Sequence, residues 1–277
     1  MSVGNAIVLG LVQGLTEFLP VSSSGHLSIL SNLFGMTTAE GEHLFFDALL
    51  HLGTLLAIFI VYWQDIAAMA HETLGLLNLG PAAGMNRTRN PGARLFFMIV
   101  LATLPLLLIL PIRGMLETLY DNNIFIGVAL VLTGCLLYVG DRMTAGNKTV
   151  GGMTMLDALI IGLCQCVAVI PGLSRAGTAI TAGVATGLNR DFAVKFAFLL
   201  SLPAMLATAL IRFAGALRTG VDLGSIPAYL IGTAVAMVAG IVAIELLHAI
   251  AKRGKFGGFA YYCWVLGVLS IILTMIF

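Results

Sequence analysis

The chain has 277 residues, 59% of them hydrophobic and 10% charged, with a formal net charge of +1. Soluble domains carry about a quarter charged residues, so the composition excludes an ordinary soluble globule, and the near-neutral balance offers nothing to a nucleic-acid partner. A multi-pass membrane protein remains: apolar blocks of about 20 residues recur throughout, each long enough to cross a hydrocarbon core of roughly 30 Å.

In chain order, eight apolar segments are expected. The first, about 4–34, is interrupted by Pro20 and the run Ser22-Ser23-Ser24-Gly25. Its start, MSVGNAIVLGLVQG, lacks the basic leader of a cleaved signal peptide, so it is expected in the mature fold. Three plain spans follow near 44–63, 95–112 and 123–140. Between the first two, the stretch 64–94, ending MNRTRNPGAR, reads as a cytoplasmic loop, with partial placement on the membrane surface as an option. A fifth segment, about 156–188, is interrupted at IPGLSRAG, and three more spans are expected near 192–211, 227–250 and 259–277. Cys135, Cys164, Cys166 and Cys263 all sit in apolar stretches. They read as buried thiols, not as a disulfide frame or a zinc site.

The two interrupted segments are alike. GLVQGLTEFLPVSSSGHL starts at Gly10 and GLCQCVAVIPGLSRAGT at Gly162; both run Gly-Leu-x-Gln, apolar residues, Pro, then a Ser-containing turn closed by Gly. The spacing differs by one residue on each side of the proline. Each segment precedes three plain spans. If both are re-entrant hairpins that do not cross, each half crosses three times and the second half is inverted. The expected fold is therefore an all-α integral membrane protein, with six transmembrane helices plus two re-entrant helical hairpins in an inverted-topology repeat. Residues 1–277 then form a single membrane domain with halves of about 1–150 and 151–277.

Charge bias fits that scheme. One side receives Arg87, Arg89, Arg94, Arg142, Lys148, Arg190, Lys195, Lys252, Arg253 and Lys255, and the other receives Arg113, Arg212 and Arg218. Ten against three marks the first side as cytoplasmic. Both termini are then extracytoplasmic, and the hairpins enter from opposite faces with their tips near the midplane.

Each tip is a chain break followed by a new helix, starting near Ser24 and near Arg175. A helix N-terminus offers unpaired N–H groups and partial positive charge, and so suits an anion. Ser22, Ser23, Ser24 and His26 would line one side of a shared pocket, and Ser174, Arg175 and Thr178 the other. Gln13 and Glu17, one turn apart, share a helix face. These residue types suit phosphate chemistry. Arg175 is a fixed fork for phosphate oxygens, and Glu17 with Gln13 could hold a hard cation such as Mg²⁺. Ser23 or Ser24 could attack phosphorus with His26 as base or acid, or His26 could itself attack. The competing reading is a Glu17–Arg175 ion pair that only pins the hairpins, which the number of hydroxyls around it disfavours. Asp47 and His51 have two readings, the pocket rim or helix-end solvation, and Glu245 and His248 read as interfacial. Gly10, Gly14, Gly162 and Gly172 are expected at close backbone approaches.

QGLTEFLPVSSSGH closely resembles the (E/Q)GxxEFLPxSSxGH motif of the bacterial undecaprenyl-diphosphate phosphatases, also called bacitracin-resistance proteins. PGLSRAGT resembles that family's PGxSRSGxT motif, and the likeness extends to the FxxxxHLG stretch at 46–53 and to FAFLLSLPAM at 196–205. The resemblance implies a hydrolase of the bacterial inner membrane. It would remove the terminal phosphate of undecaprenyl diphosphate at the outer face, regenerating the lipid carrier for peptidoglycan synthesis and conferring bacitracin resistance. It further implies a divalent cation, Mg²⁺ or Ca²⁺. The family's motif glutamate falls on Glu17, its E/Q position on Gln13, its essential serine on Ser23, its histidine on His26 and its phosphate-binding arginine on Arg175. Ser174 and Thr178 are the second motif's hydroxyls; Ser22 and Ser24 are expected as further phosphate contacts from the pocket reading alone. Two departures stand out: Gln13 leaves the cation site one carboxylate poorer, and Ala176 replaces the usual Ser. The type-2 phosphatidate phosphatases share only Ser24-Gly25-His26; no lysine precedes Lys148 and no histidine lies between Arg175 and His248, so their constellation is absent. The runner-up is a lipid-phosphate flippase or anion transporter on the same scaffold. Membrane lipids are the expected surroundings, and a homodimer is an option the sequence leaves open.

Overall fold

Caps and prolines set the punctuation of this chain. The computed structural model describes residues 1–34, 40–77, 90–219, 223–254 and 256–276, so Arg87, Arg89 and Lys255 of the charge argument lie outside the described residues. Ser2 opens α1 (Val3–Phe18) by accepting from the Asn5 N–H at 3.2 Å. The chain turns extended at Leu19 and restarts as α2 (Ser23–Phe34). α3 (Glu40–Val61) is followed directly by α4 (Trp63–Leu76).

The helix α4 fills the first part of the connection expected over 64–94, of which residues 78–89 lie outside the described residues. Asp65 in its first turn complements the helix dipole. Near its other end, the Glu72 carboxylate accepts from the N–H groups of Gly92 and Ala93 at 2.7 and 3.1 Å, which caps α5 (Pro91–Thr103). The polar residues that read as loop are thus the α4–α5 fastening. A 3-10 stretch, Leu104–Ile112, continues α5, as Pro105 and Pro111 remove the donors an α-helix needs there. A short α6 (Arg113–Glu117) leads to α7 (Asn123–Arg142), capped by the Asn122 side chain on the Phe125 N–H at 3.0 Å.

α8 (Met155–Val167) starts with a reciprocal capping box between Thr154 and Asp157. α9 (Arg175–Ala185) is capped by Ser174, and α10 (Arg190–Thr219) by Asn189, whose Oδ1 accepts from the Phe192 N–H at 2.7 Å. α11 (Ile226–Arg253) ends on Lys252, Arg253 and a left-handed Gly254, and α12 (Gly257–Ile276) closes the chain. No strand occurs among the described residues beyond one isolated bridge, Lys148 to Leu188.

Six helical stretches among the described residues are long and apolar enough to cross a membrane: Leu44–Val61, Pro91–Ile112, Asn123–Arg142, Arg190–Arg218, Ile226–Arg253 and Gly257–Ile276. They coincide with the six plain spans expected from sequence. α1 and α8 have 16 and 13 residues, reaching about 24 and 20 Å at 1.5 Å per residue, short of a full core.

Packing pairs the helices in a regular way: α1 lies on α11 and α8 on α5, while α3 lies on α10 and α7 on α12. The first two contacts are backbone on backbone. A Cβ on Gly10 would sit 2.4 Å from the Gly232 carbonyl oxygen, and one on Gly162 would sit 2.2 Å from that of Ala102. Gly162→Ala is therefore expected to destabilise by about 1–3 kcal/mol, the range for an overpacked core. Gly4→Ala, with nothing within 4 Å of the new Cβ, is expected to be neutral or slightly stabilising. Unfolding midpoints in detergent check this; equal midpoints for the two variants would refute the close approach.

A polar clasp fixes the second interrupted segment. The Lys148 ammonium donates to both Asp157 carboxylate oxygens at 3.0 and 2.9 Å and to the Thr186 carbonyl at 2.8 Å. The start of α8 and the end of α9 are thereby held by one side chain.

Candidate active site

Two chain breaks meet at one place. In the first, Ser22 takes φ +71°, the only positive φ of a non-glycine among the described residues. That conformation costs roughly 1–2 kcal/mol. The Ser22 hydroxyl accepts from the Gly25 N–H at 3.2 Å, and in the second break the Ser174 hydroxyl accepts from the Gly177 N–H at 3.1 Å. Gly172, at φ +89°, lets the second tip lie against α7, where a Cβ would meet that of Ala129 at 2.7 Å.

Counted from these caps, the two segments align without a gap. Gly10 and Gly162, Gln13 and Gln165, Ser22 and Ser174, and Gly25 and Gly177 are each 152 positions apart. Only the proline is out of step, which explains the one-residue mismatch on either side of it. In this register Ser23 takes the place of Arg175, and His26 that of Thr178.

The tips are joined by hydrogen bonds. The Gly172 N–H donates to the Ser24 hydroxyl at 3.4 Å. From α7, the Thr133 hydroxyl donates to the Gly172 carbonyl at 3.2 Å and accepts from the Ser174 N–H at 3.1 Å. Ser22, Ser24 and Ser174 thus build the tips, and Thr178 lies buried in the first turn of α9.

At the centre stands Glu17. Its Oε2 accepts from the Ser23 hydroxyl at 2.6 Å and from the Gln13 amide at 3.1 Å, and its Oε1 lies 3.8 Å from Arg175 Nη1. The Glu17 side chain is 8% exposed and that of Arg175 28%. Arg175 Nη1 and Gln13 Oε1 are buried and hydrogen-bond to nothing among the described residues. The structure therefore brings Gln13, Glu17, Ser23 and Arg175 together.

His26 points elsewhere. Its Nδ1 lies 2.7 Å from the Ser22 carbonyl oxygen and its Nε2 2.7 Å from the Tyr262 hydroxyl on α12. The His26 and Tyr262 rings stack, 5.6 Å apart and 5° from parallel.

Next to this centre lies a second charged group. Arg212 of α10 pairs with Asp47 of α3. The His51 Nδ1–H donates to the Asp47 carbonyl at 2.9 Å. The helix-end solvation reading of Asp47 and His51 fails, since both side chains are largely buried. Arg212, counted among the outer-side charges, is used inside the helix packing instead.

His248 has packing contacts that the interfacial reading did not include. Its Nδ1 is 3.0 Å from Asp191 Oδ1, and its Nε2 hydrogen-bonds the Tyr62 hydroxyl, so it ties α10 and α11 to the junction of α3 and α4. Glu245 is exposed, as expected. None of the four cysteines is paired; Cys263 is buried, whereas Cys135 is exposed on α7. Sequence reasoning missed Tyr262 and the Asp47–Arg212 pair, which no local motif announces. It also passed over Gln165, whose buried amide hydrogen-bonds to nothing among the described residues.

Comparison with known proteins agrees with the motif resemblance. The sequence pattern described as bacitracin resistance protein BacA matches residues 6–269. An undecaprenyl-diphosphatase from Desulforapulum autotrophicum is 39% identical over 98% of both chains. Proteins of the same name from Alkaliphilus metalliredigens and Methanosphaera stadtmanae are each 36% identical, over 100% and 98% of both chains. Both chain breaks and every residue gathered at their meeting point fall within the matched range, and the chain belongs to the bacitracin resistance protein BacA family.

Proposed function

We propose that this multi-pass membrane protein is an undecaprenyl-diphosphatase, releasing inorganic phosphate from undecaprenyl diphosphate and returning undecaprenyl phosphate to peptidoglycan synthesis. The observation that carries this reading is the junction of a buried carboxylate–hydroxyl pair, Glu17 and Ser23, with a guanidinium whose buried Nη1 has no hydrogen bond inside the protein. Arg175 and the N-terminal ends of α2 and α9 suit the oxygens of the terminal phosphate. Phosphoryl transfer depends mainly on such preorganised charge.

The contacts favour Ser23 as the attacking group. Its hydroxyl already donates to Glu17, whereas both nitrogens of His26 are engaged with Ser22 and Tyr262. In this mechanism the Ser23 oxygen bonds to the terminal phosphorus as its proton passes to Glu17. The bond from phosphorus to the bridging oxygen breaks, and undecaprenyl phosphate leaves. Glu17 gives that proton to the leaving phosphate oxygen. Water, deprotonated by the freed carboxylate, then attacks the phosphoserine phosphorus, and the serine oxygen recovers the proton from Glu17 as inorganic phosphate leaves.

A divalent cation fits beside these residues. Gln13 Oε1 is a buried acceptor with no donor, adjacent to the Glu17 carboxylate, and Mg²⁺ and Ca²⁺ take oxygen ligands. No group of three or more His, Cys, Asp or Glu side chains among the described residues could hold a metal, so substrate phosphate and water would complete the shell. Bound there, the cation would offset phosphate charge.

The finer architecture belongs to the same proposal. α1–α2 and α8–α9 are taken as re-entrant hairpins of an inverted repeat. The constant offset of 152 positions, the paired packing of α1 on α11 and α8 on α5, and the shortness of α1 and α8 support this. With the basic residues on the cytoplasmic side, both termini and the mouth of the site face outward.

Phosphate release from undecaprenyl diphosphate by the detergent-purified protein tests the reading. Release is expected with Mg²⁺ or Ca²⁺ and is expected to fall at least about 100-fold with chelator, since a bound cation contributes several kcal/mol of charge stabilisation. No release from folded protein would overturn the phosphatase; undiminished release under chelator would overturn the cation site.

A further inference from the structure

His26 is held at both ring nitrogens, and the two partners differ in kind. Nδ1 faces the Ser22 carbonyl oxygen at 2.7 Å, a group that can only accept. The ring proton therefore resides on Nδ1, and Nε2 of the neutral ring is left as an acceptor. The Tyr262 hydroxyl, 2.7 Å from Nε2, supplies the donor. The parallel stacking of the rings fixes the imidazole plane as well as its tautomer. The first contact is local, four residues back in the chain, whereas Tyr262 is 236 positions from His26 and lies on α12.

The two ends of this pair have different surroundings. Ser22 is 3% exposed and its carbonyl is fixed by the left-handed backbone, so the Nδ1 bond is built into the tip. Tyr262 is 47% exposed on its helix, so the Nε2 side opens toward the lateral face of the protein. A lipid-anchored diphosphate arriving from the membrane would come to Nε2 from that side, whereas Glu17, Ser23 and Arg175 lie across the tip.

We infer that Tyr262 is a positioning residue for His26: its hydroxyl donates to Nε2 and holds the imidazole in one tautomer and one orientation beside the tip, on the side from which the lipid diphosphate would enter. This rests on the phosphatase reading of the site. Tyr262 makes no bond to phosphorus and transfers no proton of its own; it acts through His26. The simpler alternative is that the hydrogen bond only fastens α12 to α2, and the two roles separate experimentally.

The test compares wild type with Tyr262→Phe, which keeps the stacked ring and removes the hydroxyl. The first readout needs no turnover: diethyl pyrocarbonate acylates an unprotonated imidazole nitrogen, and its attachment to His26 is followed by mass spectrometry. Loss of the hydroxyl is expected to speed modification of His26 several-fold while the other four histidines are unaffected. The second readout is turnover of undecaprenyl diphosphate. Misplacement of a group beside the reacting centre costs rate, and loss of the imidazole's orientation is expected to lower kcat about tenfold with KM nearly unchanged. An unchanged His26 modification rate overturns the positioning bond. Faster modification with unchanged kcat, or with only a lowered unfolding midpoint, overturns the catalytic role and leaves a helix fastener. Absence of turnover in the wild type itself would defeat the phosphatase reading, while the modification rates still decide whether Tyr262 holds His26.

Discussion

Arg175→Ala is expected to cut turnover of undecaprenyl diphosphate by about 10³-fold, with little change in KM. Removal of one preorganised donor from a developing charge costs about 10²–10³ in kcat, and removal of an arginine that supports phosphoryl transfer costs about 10³–10⁵. The protein itself uses this guanidinium lightly. Its nearest carboxylate oxygen is 3.8 Å away, and the buried Nη1 has no hydrogen bond among the described residues. The alanine variant does leave Glu17 without its opposing charge, which raises the question of folding. Arg175→Lys answers it. A lysine keeps a positive charge near Glu17 but loses the planar fork, so a wild-type unfolding midpoint with kcat still lowered at least about tenfold is expected. Near-normal turnover in both variants would remove Arg175 from the site.

Ser23→Ala is expected to be the most damaging single change, lowering turnover by at least about 10⁴-fold, as loss of an attacking group does in enzymes with activated nucleophiles. Ser23 and Glu17 are joined by a 2.6 Å hydrogen bond and act as one unit. Residues that act as a unit are not additive, so Ser23→Ala with Glu17→Gln is expected to be no slower than the slower single variant. Rapid-quench kinetics and trapping of phosphoserine check the chemistry. A Ser23→Ala protein with a tenth of wild-type turnover would mean that His26 or water attacks instead.

The sequence made the spans legible because hydropathy reports a property of each segment alone. It also showed where both chain breaks fall, since Pro20 and Pro171 and the serines behind them are local signals with local causes. The centre of the site was legible for a related reason: Glu17 and Arg175 are ionisable groups inside apolar segments, and that placement is costly enough to require a purpose. The helix over Trp63–Leu76 was not legible, because its polar residues are spent on capping the next helix. Counting from the prolines obscured the constant register of the two breaks, as the serine caps carry it. Long-range pairs lie beyond this kind of reading. Asp47 meets Arg212 and His26 meets Tyr262 only after helices far apart in the chain have packed, and no periodicity within either partner encodes that choice.

The glycine contacts of α1 and α8 bear on how the molecule works as a machine. At Gly10 a Cα rests against the Gly232 carbonyl, and at Gly162 another rests against that of Ala102. Side chains can hop between rotamers to let helices slide, whereas a carbonyl seated in a backbone notch has no such freedom. Tilting either short helix against its neighbour would force these contacts apart, one in each half of the chain. Each tip is thus carried on a helix whose backbone is seated directly on a neighbour's backbone. A mount of that kind suits a site that lipid reaches by diffusing sideways through the membrane.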